Sequence, residues 1–297
     1  MKALLKKITP QYLIDKYLKY RDYRNRYFDN KEALAYVYKK KQGLINHANE
    51  IETLGLRGSY ADYDFFPGSI NNSYNLGLTS TDVYSNYYLY LKCKEILPNL
   101  KNVVFYTAAF VSGMSSIRTK EKYRAIPYKY FFDIPYQEES LIDKGLEKKI
   151  FKKCRKIEVD VPNDYCGYET KDFFVTGADA ESRAKILLRE NRREPDQMIW
   201  IKKIIEQIIE DKKNIFIIIP PYHTKVKNYL PRKEELYKKI YALLNDYKEL
   251  HNVRLIDLYD SDLINDSDMG DNEHLNEKGA KKCTMILKDY IEKQCLQ

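Results

Sequence analysis

Two apolar runs constrain this chain more than anything else in it. Residues 102–110 (NVVFYTAAF) and 214–220 (NIFIIIP) are hydrophobic almost throughout. That is the signature of strands covered on both faces, as in a parallel sheet wrapped by helices. Weaker strand patterns lie at 51–58 (IETLGLRG), 73–78 (SYNLGL) and 253–259 (VRLIDLY). Between them fall helical stretches. Residues 80–97 carry Val83, Tyr87, Tyr90, Leu91 and Ile96 on one face, with Ser80 placed to cap the start. Residues 194–213, 231–251 and 276–294 follow as helices. Strands alternating with helices predict an α/β fold, a three-layer parallel sheet flanked by helices and joined by right-handed crossovers.

Two stretches fall outside this pattern. Residues 1–50 read as a basic helical extension. Thr9 and Pro10 start a helix, Leu13, Ile14, Tyr17 and Leu18 form its apolar stripe, and Arg21, Arg24 and Arg26 alternate with Tyr20, Tyr23 and Tyr27. Residues 111–190 hold Tyr, Phe, Pro and Lys clusters without a clean period and read as a central insertion or lid. The expected organisation is a 1–50 extension and one α/β domain over 51–297 that contains the insertion.

Net charge narrows the partners only a little. There are 51 Lys+Arg against 43 Asp+Glu, a mild excess of +8 in a chain rich in Lys, Ile, Tyr and Asn. Part of that charge reflects codon bias, and no nucleic-acid partner is expected. The extension is the one stretch suited to a peripheral membrane contact. No run approaches the 18 apolar residues of a spanning helix, and the start carries no secretory signal. The five cysteines (Cys93, Cys154, Cys166, Cys283, Cys295) are scattered and form no C-x-x-C pair. A cytoplasmic protein with no metal site is the expectation.

In a parallel α/β sheet, chemistry gathers at the carboxyl ends of the strands. Three such ends carry reactive residues. Ser59, after Arg57-Gly58, would expose a hydroxyl at a strand-to-helix turn, with its own amide facing the same pocket. Asn75-Leu76-Gly77-Leu78-Thr79-Ser80 opens a helix, and Gly77 offers an unobstructed amide there. Asp271 precedes His274 by three residues, a spacing that lets the carboxylate fix the imidazole tautomer. Ser69, in Pro67-Gly68-Ser69, is a weaker rival to Ser59 because no strand leads into it. His223, after the 214–220 strand, is a substrate-binding candidate or a second base. No dinucleotide fingerprint, P-loop or Gly-x-Ser-x-Gly elbow occurs.

An early serine, with Asp-x-x-His just before the last helix, resembles the SGNH (GDSL-like) hydrolase superfamily. The region from Ser59 to Gly77 is similar to a divergent subgroup associated with surface-polysaccharide biosynthesis. The resemblance covers about residues 51–110 and 214–294 and implies a flavodoxin-like sheet. It implies Ser59 as nucleophile, Asp271 and His274 as its proton relay, and the amides of Ser59 and Gly77 as oxyanion donors. The chain departs from the family in two places. The first block reads Arg-Gly-Ser, and no Asn follows the third strand, where Thr107, Ser112 or Ser115 would have to donate instead. Asn75, Thr107 and His223 are the weaker substrate-binding candidates.

The function expected is serine-dependent acyl transfer, as esterase or O-acetyltransferase, on an O-acyl group of a saccharide or glycan precursor. Hydrolysis needs no cofactor, whereas a transferase would take acetyl-CoA as acyl donor. Two alternatives stand beside it. One is a non-catalytic glycan-binding or scaffold protein on a decayed fold of the same kind. The other is nucleic-acid binding through residues 1–50.

Overall fold

The structure is a computed structural model that describes residues 12–13, 16–17, 31–119, 121–170, 179–191 and 197–294. Most of the basic Arg/Tyr stretch, with its expected helix start at Thr9-Pro10, lies outside the described residues, as does Cys295.

A five-strand, all-parallel sheet organises the chain. Its strands are β1 (Thr53–Leu56), β2 (Ser73–Asn75), β3 (Asn102–Tyr106), β4 (Asn214–Ile219) and β5 (Val253–Asp257). They lie in the order β2-β1-β3-β4-β5. The register pairs Leu54 with both Tyr74 and Val103, and Phe216 with both Val104 and Arg254. The fold is therefore α/β with a parallel sheet flanked by helices, as the two apolar runs predict. Every residue of β1 and β3 is buried, and β4 is buried beyond its first residue. The edge strand β5 buries Val253 and Ile256 and leaves Leu255 exposed.

The principal helices are α1 (Lys31–Asn46), α2 (Gly58–Asp64), α3 (Val83–Ile96), α4 (Ala125–Phe132), α5 (Lys144–Cys154), α6 (Ala180–Asn191) and α7 (Met198–Glu210). They are followed by α8 (Thr224–Lys227), α9 (Lys233–Leu236), α10 (Lys238–Asn245) and α11 (Glu277–Gln294). α3, α7 and α10 form one packed layer, and α2 packs against α11. Right-handed crossovers require this split. The chain steps from β1 to β2 in one direction and returns across β1 in the other. The order reverses between β1 and β3, and that switch point is where a doubly wound sheet opens its crevice. α2 starts directly after β1, so the first residues of α2 stand at that opening.

Several boundaries differ from the sequence reading. The apolar run at 102–110 is a strand only to Tyr106. Thr107 then turns the chain, its amide and hydroxyl both donating to Ile218 O at 2.7 and 2.8 Å. The 231–251 stretch breaks into α9 and α10 at Tyr237, which is buried. Asp82, not Ser80, caps α3 and accepts from the Ser85 amide at 2.9 Å. Ser80 instead holds the turn before it at φ 63°.

The insertion has a core of its own. Ile117, Ile126, Ile142, Leu146 and Ile150 cluster with Leu34 of α1. The same helix α1 sends Val37 and Leu44 into the main core around the sheet. α1 thus bridges the two clusters, although it lies in the stretch read as an extension.

Candidate active site

Three turns at the sheet's carboxyl end build the site. After β1, Arg57 takes φ 99° and Gly58 takes φ 58°, so the backbone reverses sharply into α2. Gly58 N donates to Thr81 Oγ1 at 3.2 Å, which ties this turn to the one that follows β2. Ser59 is the second residue of α2, where amides lack an intrahelical acceptor.

The loop before α11 brings the other partners. Asp271 Oδ1 accepts the amides of Glu273 and His274, both at 2.8 Å. This frees Oδ2 to accept from His274 Nδ1 at 2.9 Å. The ring's other nitrogen, Nε2, lies 2.9 Å from Ser59 Oγ. An antiparallel bridge between Met269 and Leu275 closes the loop, and Asn276 starts α11 by accepting from Gly279 N. Serine, imidazole and carboxylate therefore form one continuous chain of hydrogen bonds, with His274 about nine-tenths buried. Among the described residues Ser69 makes no such contact.

Aromatic rings hold the imidazole in place. Tyr63 stacks on His274 with centroids 4.6 Å apart, and Tyr60 lies tilted at 5.1 Å. Tyr60 Oη donates to Glu273 Oε2 at 2.9 Å, and Tyr222 Oη lies 2.9 Å from Tyr60 Oη. Glu273 is also ion-paired to Arg183 of α6, which ties α6 to the loop holding His274.

Electrostatics follow from this crowding of carboxylates. Burial alone would lower the His274 pKa. The charge and hydrogen bond of Asp271, with Glu273 and Asp64 behind it, outweigh burial and raise the pKa to about 9. Burial would raise the Asp271 pKa, but His274 and the two amides hold it down at about 2. Asp64 is fully buried, and among the described residues no Lys or Arg lies within hydrogen-bond reach of it. Burial carries its pKa up to about 8, although His274 and the Leu275 amide pull the other way.

The remaining sequence candidates do other work. Gly77 is buried against α2, and a Cβ there would lie 2.2 Å from Asp62 N. Its amide donates to Asn75 Oδ1 at 2.9 Å. Asn75 is fully buried. Its Nδ2 donates to Ala61 O and Phe65 O at 2.6 Å, and its Oδ1 also accepts from Lys40, so it fastens α2 to the sheet. Thr107 is fully buried with its hydroxyl committed to β4, as described above, and Ser115 Oγ donates to Gln137. Ser112 is buried as well, and its carbonyl accepts from Gln197 N. His223 caps α8, with Nδ1 accepting from Lys225 N at 3.2 Å. Its amide donates to Asn272 O, so it braces the His274 loop from outside.

Sequence reading missed Asp64, Glu273, Arg57 and the buried pair of Lys40 Nζ and Asp62 Oδ1 at 2.9 Å. A charged residue inside a mostly apolar helical segment was the only available signal for Asp62 and Asp64. Nothing local marked the others.

Next to the site, a cavity of about 550 Å³ opens at the carboxyl ends of β4 and β5. It is lined by Tyr222, Tyr259, Asp260, Asn265, Asp266 and Met269 among others. It reaches the loop that carries His274 but includes neither His274 nor Ser59.

Fold and site together define an α/β protein of Rossmann-like or flavodoxin-like topology with a Ser–His–Asp hydrogen-bonded array at its switch point. No protein-family model matches the chain, and a search of curated proteins finds no match. No helix of the described residues is long and apolar enough to cross a membrane.

Proposed function

We propose that the protein is a serine-dependent acyl-transfer enzyme, an esterase or O-acetyltransferase of SGNH type. The observation that carries this reading is the 2.9 Å approach of Ser59 Oγ to His274 Nε2, with Asp271 on the ring's other nitrogen. In the reaction, neutral His274 takes the Ser59 proton as Oγ attacks the acyl carbonyl carbon. The tetrahedral intermediate collapses and its bond to the leaving oxygen breaks. His274 returns the proton to that oxygen, leaving acyl-Ser59. Water or a sugar hydroxyl, deprotonated by His274, then attacks the acyl carbon and releases Ser59. The products are a carboxylic acid in the first case and a new ester in the second. With acetyl-CoA as donor the first leaving group is a thiol.

The amide of Ser59 is the oxyanion donor left by this arrangement, since that of Gly77 is engaged by Asn75. Support for a saccharide comes from the neighbouring cavity. Its rim carries Asp260, Asn265 and Asp266, whose polar groups suit sugar hydroxyls. The engaged Gly77 amide favours one second reading, a glycan-binding protein that no longer turns over.

Turnover separates the two. Wild type should hydrolyse p-nitrophenyl acetate or release CoA from acetyl-CoA with a glycan acceptor, and Ser59→Ala and His274→Ala should lose at least about 10³-fold. Saccharide binding by wild type with no Ser59-dependent turnover would establish the second reading.

A further inference from the structure

We infer that Arg57 supplies the positive charge that stabilises the oxyanion formed during attack by Ser59, acting through the field from behind the β1–α2 turn. This rests on the acyl-transfer reading and adds to it a residue for the charge that the backbone amides do not balance.

Arg57 is one of the largest fully buried side chains of the molecule, 2% exposed, and it sits two residues before the nucleophile. Among the described residues its guanidinium makes one hydrogen bond, from Nη1 to Thr81 O at 3.0 Å. Nε and Nη2 are buried without an acceptor among the described residues. The Phe110 ring covers the group with its centroid 5.8 Å from Cζ. Asp82, a carboxylate whose charge acts on Arg57, already has both oxygens engaged: Oδ1 accepts from Ser85 N and Oγ, and Oδ2 from Ser116 N and Oγ. Burial pulls the Arg57 pKa down to about 10, with Asp82 opposing, so the group still carries its proton at neutral pH.

A buried cation with two unsatisfied donors is costly to the fold. Such a cost persists where the charge serves the chemistry. The position fits. Tyr60 is the common neighbour, with its ring 5.1 Å from His274 and 6.0 Å from the Phe110 ring that covers Arg57. The surroundings of His274 are strongly acidic, with Asp271, Glu273 and Asp64 all raising its pKa. A tetrahedral oxyanion would add negative charge to that environment. In a dry interior a guanidinium buried two residues before Ser59 offsets it through the field without having to reorganise. As the anion forms and collapses, the charge on Arg57 does not change and no proton leaves it.

The test compares wild type, Arg57→Met and Arg57→Lys for kcat and KM on p-nitrophenyl acetate and for Tm. Arg57→Met should lower kcat about ten- to a hundredfold and leave KM within about twofold. Its Tm should equal or exceed that of wild type, because an isolated buried charge has been replaced by an apolar side chain. Arg57→Lys keeps a charge and should lose less activity. A folded Arg57→Met with kcat within twofold of wild type overturns the inference. So does a fall in Tm that accounts for the lost activity, since that is the mark of a structural arginine. If Arg57→Met does not fold, a folded Arg57→Lys as inactive as Ser59→Ala also overturns it. Wild type without Ser59-dependent turnover removes the acyl-transfer reading itself, whereas turnover that ignores Arg57 removes this inference alone.

Discussion

Asp64 Oδ1 accepts from the Leu275 amide at 2.8 Å, which fastens α2 to the residue after His274. Ser59 and His274 lie 215 residues apart in sequence, and this bond is one of the direct ties between their segments. Asp64 Oδ2 is buried without a partner among the described residues, and the pKa of the group is raised from 3.8 to about 8. A raised carboxyl pKa means the folded state favours the protonated form. Its stabilising effect is complete below about pH 4 and is lost as pH rises through about 8.

Asp64→Asn keeps the acceptor for Leu275 and removes the titration. The variant's Tm should change less than that of wild type between pH 5 and 8. Removing one negative charge near the ring should also lower the His274 pKa from about 9. Thermal melts across that range, and NMR titration of the His274 ring, check both outcomes. A pH dependence identical to wild type would show that Asp64 does not titrate there.

The pH–rate profile should reflect His274. Its folded pKa is raised from 6.5 to about 9, so the imidazole carries its proton at neutral pH and becomes a base only as pH rises. Ester turnover should therefore climb through pH 7–9 with a limb near 9. The same shift contributes to stability below pH 6.5, a contribution lost as pH rises through about 9. Asp271 has the opposite sign. Held at about 2, it stabilises above pH 4, and that stabilisation disappears as pH falls through 2. A rate limb at 6.5 would contradict the carboxylate crowding described here.

Lys40 and Asp62 are each 1% exposed and pair at 2.9 Å beneath α2. Removing one partner strands the other in the core, so Lys40→Met should cost about 3–5 kcal/mol. Lys40→Met combined with Asp62→Leu should recover much of that loss. Denaturant unfolding of the single and double variants measures the difference. An equal cost in both would mean that the charges are not coupled.

Particular residues show what the sequence could and could not convey. Residues 214–220 reveal a central strand because burial on both faces leaves a continuous apolar run. Ser59 and the Asp271–His274 pair were visible because each is a local motif at the end of a strand, and topology alone brings such ends together. Asn75 and Thr107 sit at equally promising strand ends, yet their side chains turn inward to Ala61 and Ile218. Side-chain direction after a strand depends on what packs above it, and no local spacing encodes that. Arg57, Asp64 and Glu273 were missed for the same reason, since their importance lies in which distant groups surround them.

The most direct measurement is covalent labelling with a fluorophosphonate, followed by mass spectrometry of the digested protein. Wild type should take up about one equivalent, with the adduct on the peptide carrying Ser59. Ser59→Ala should take up none, and His274→Ala should label far more slowly. An adduct on another serine, or equal labelling of wild type and Ser59→Ala, would contradict the account.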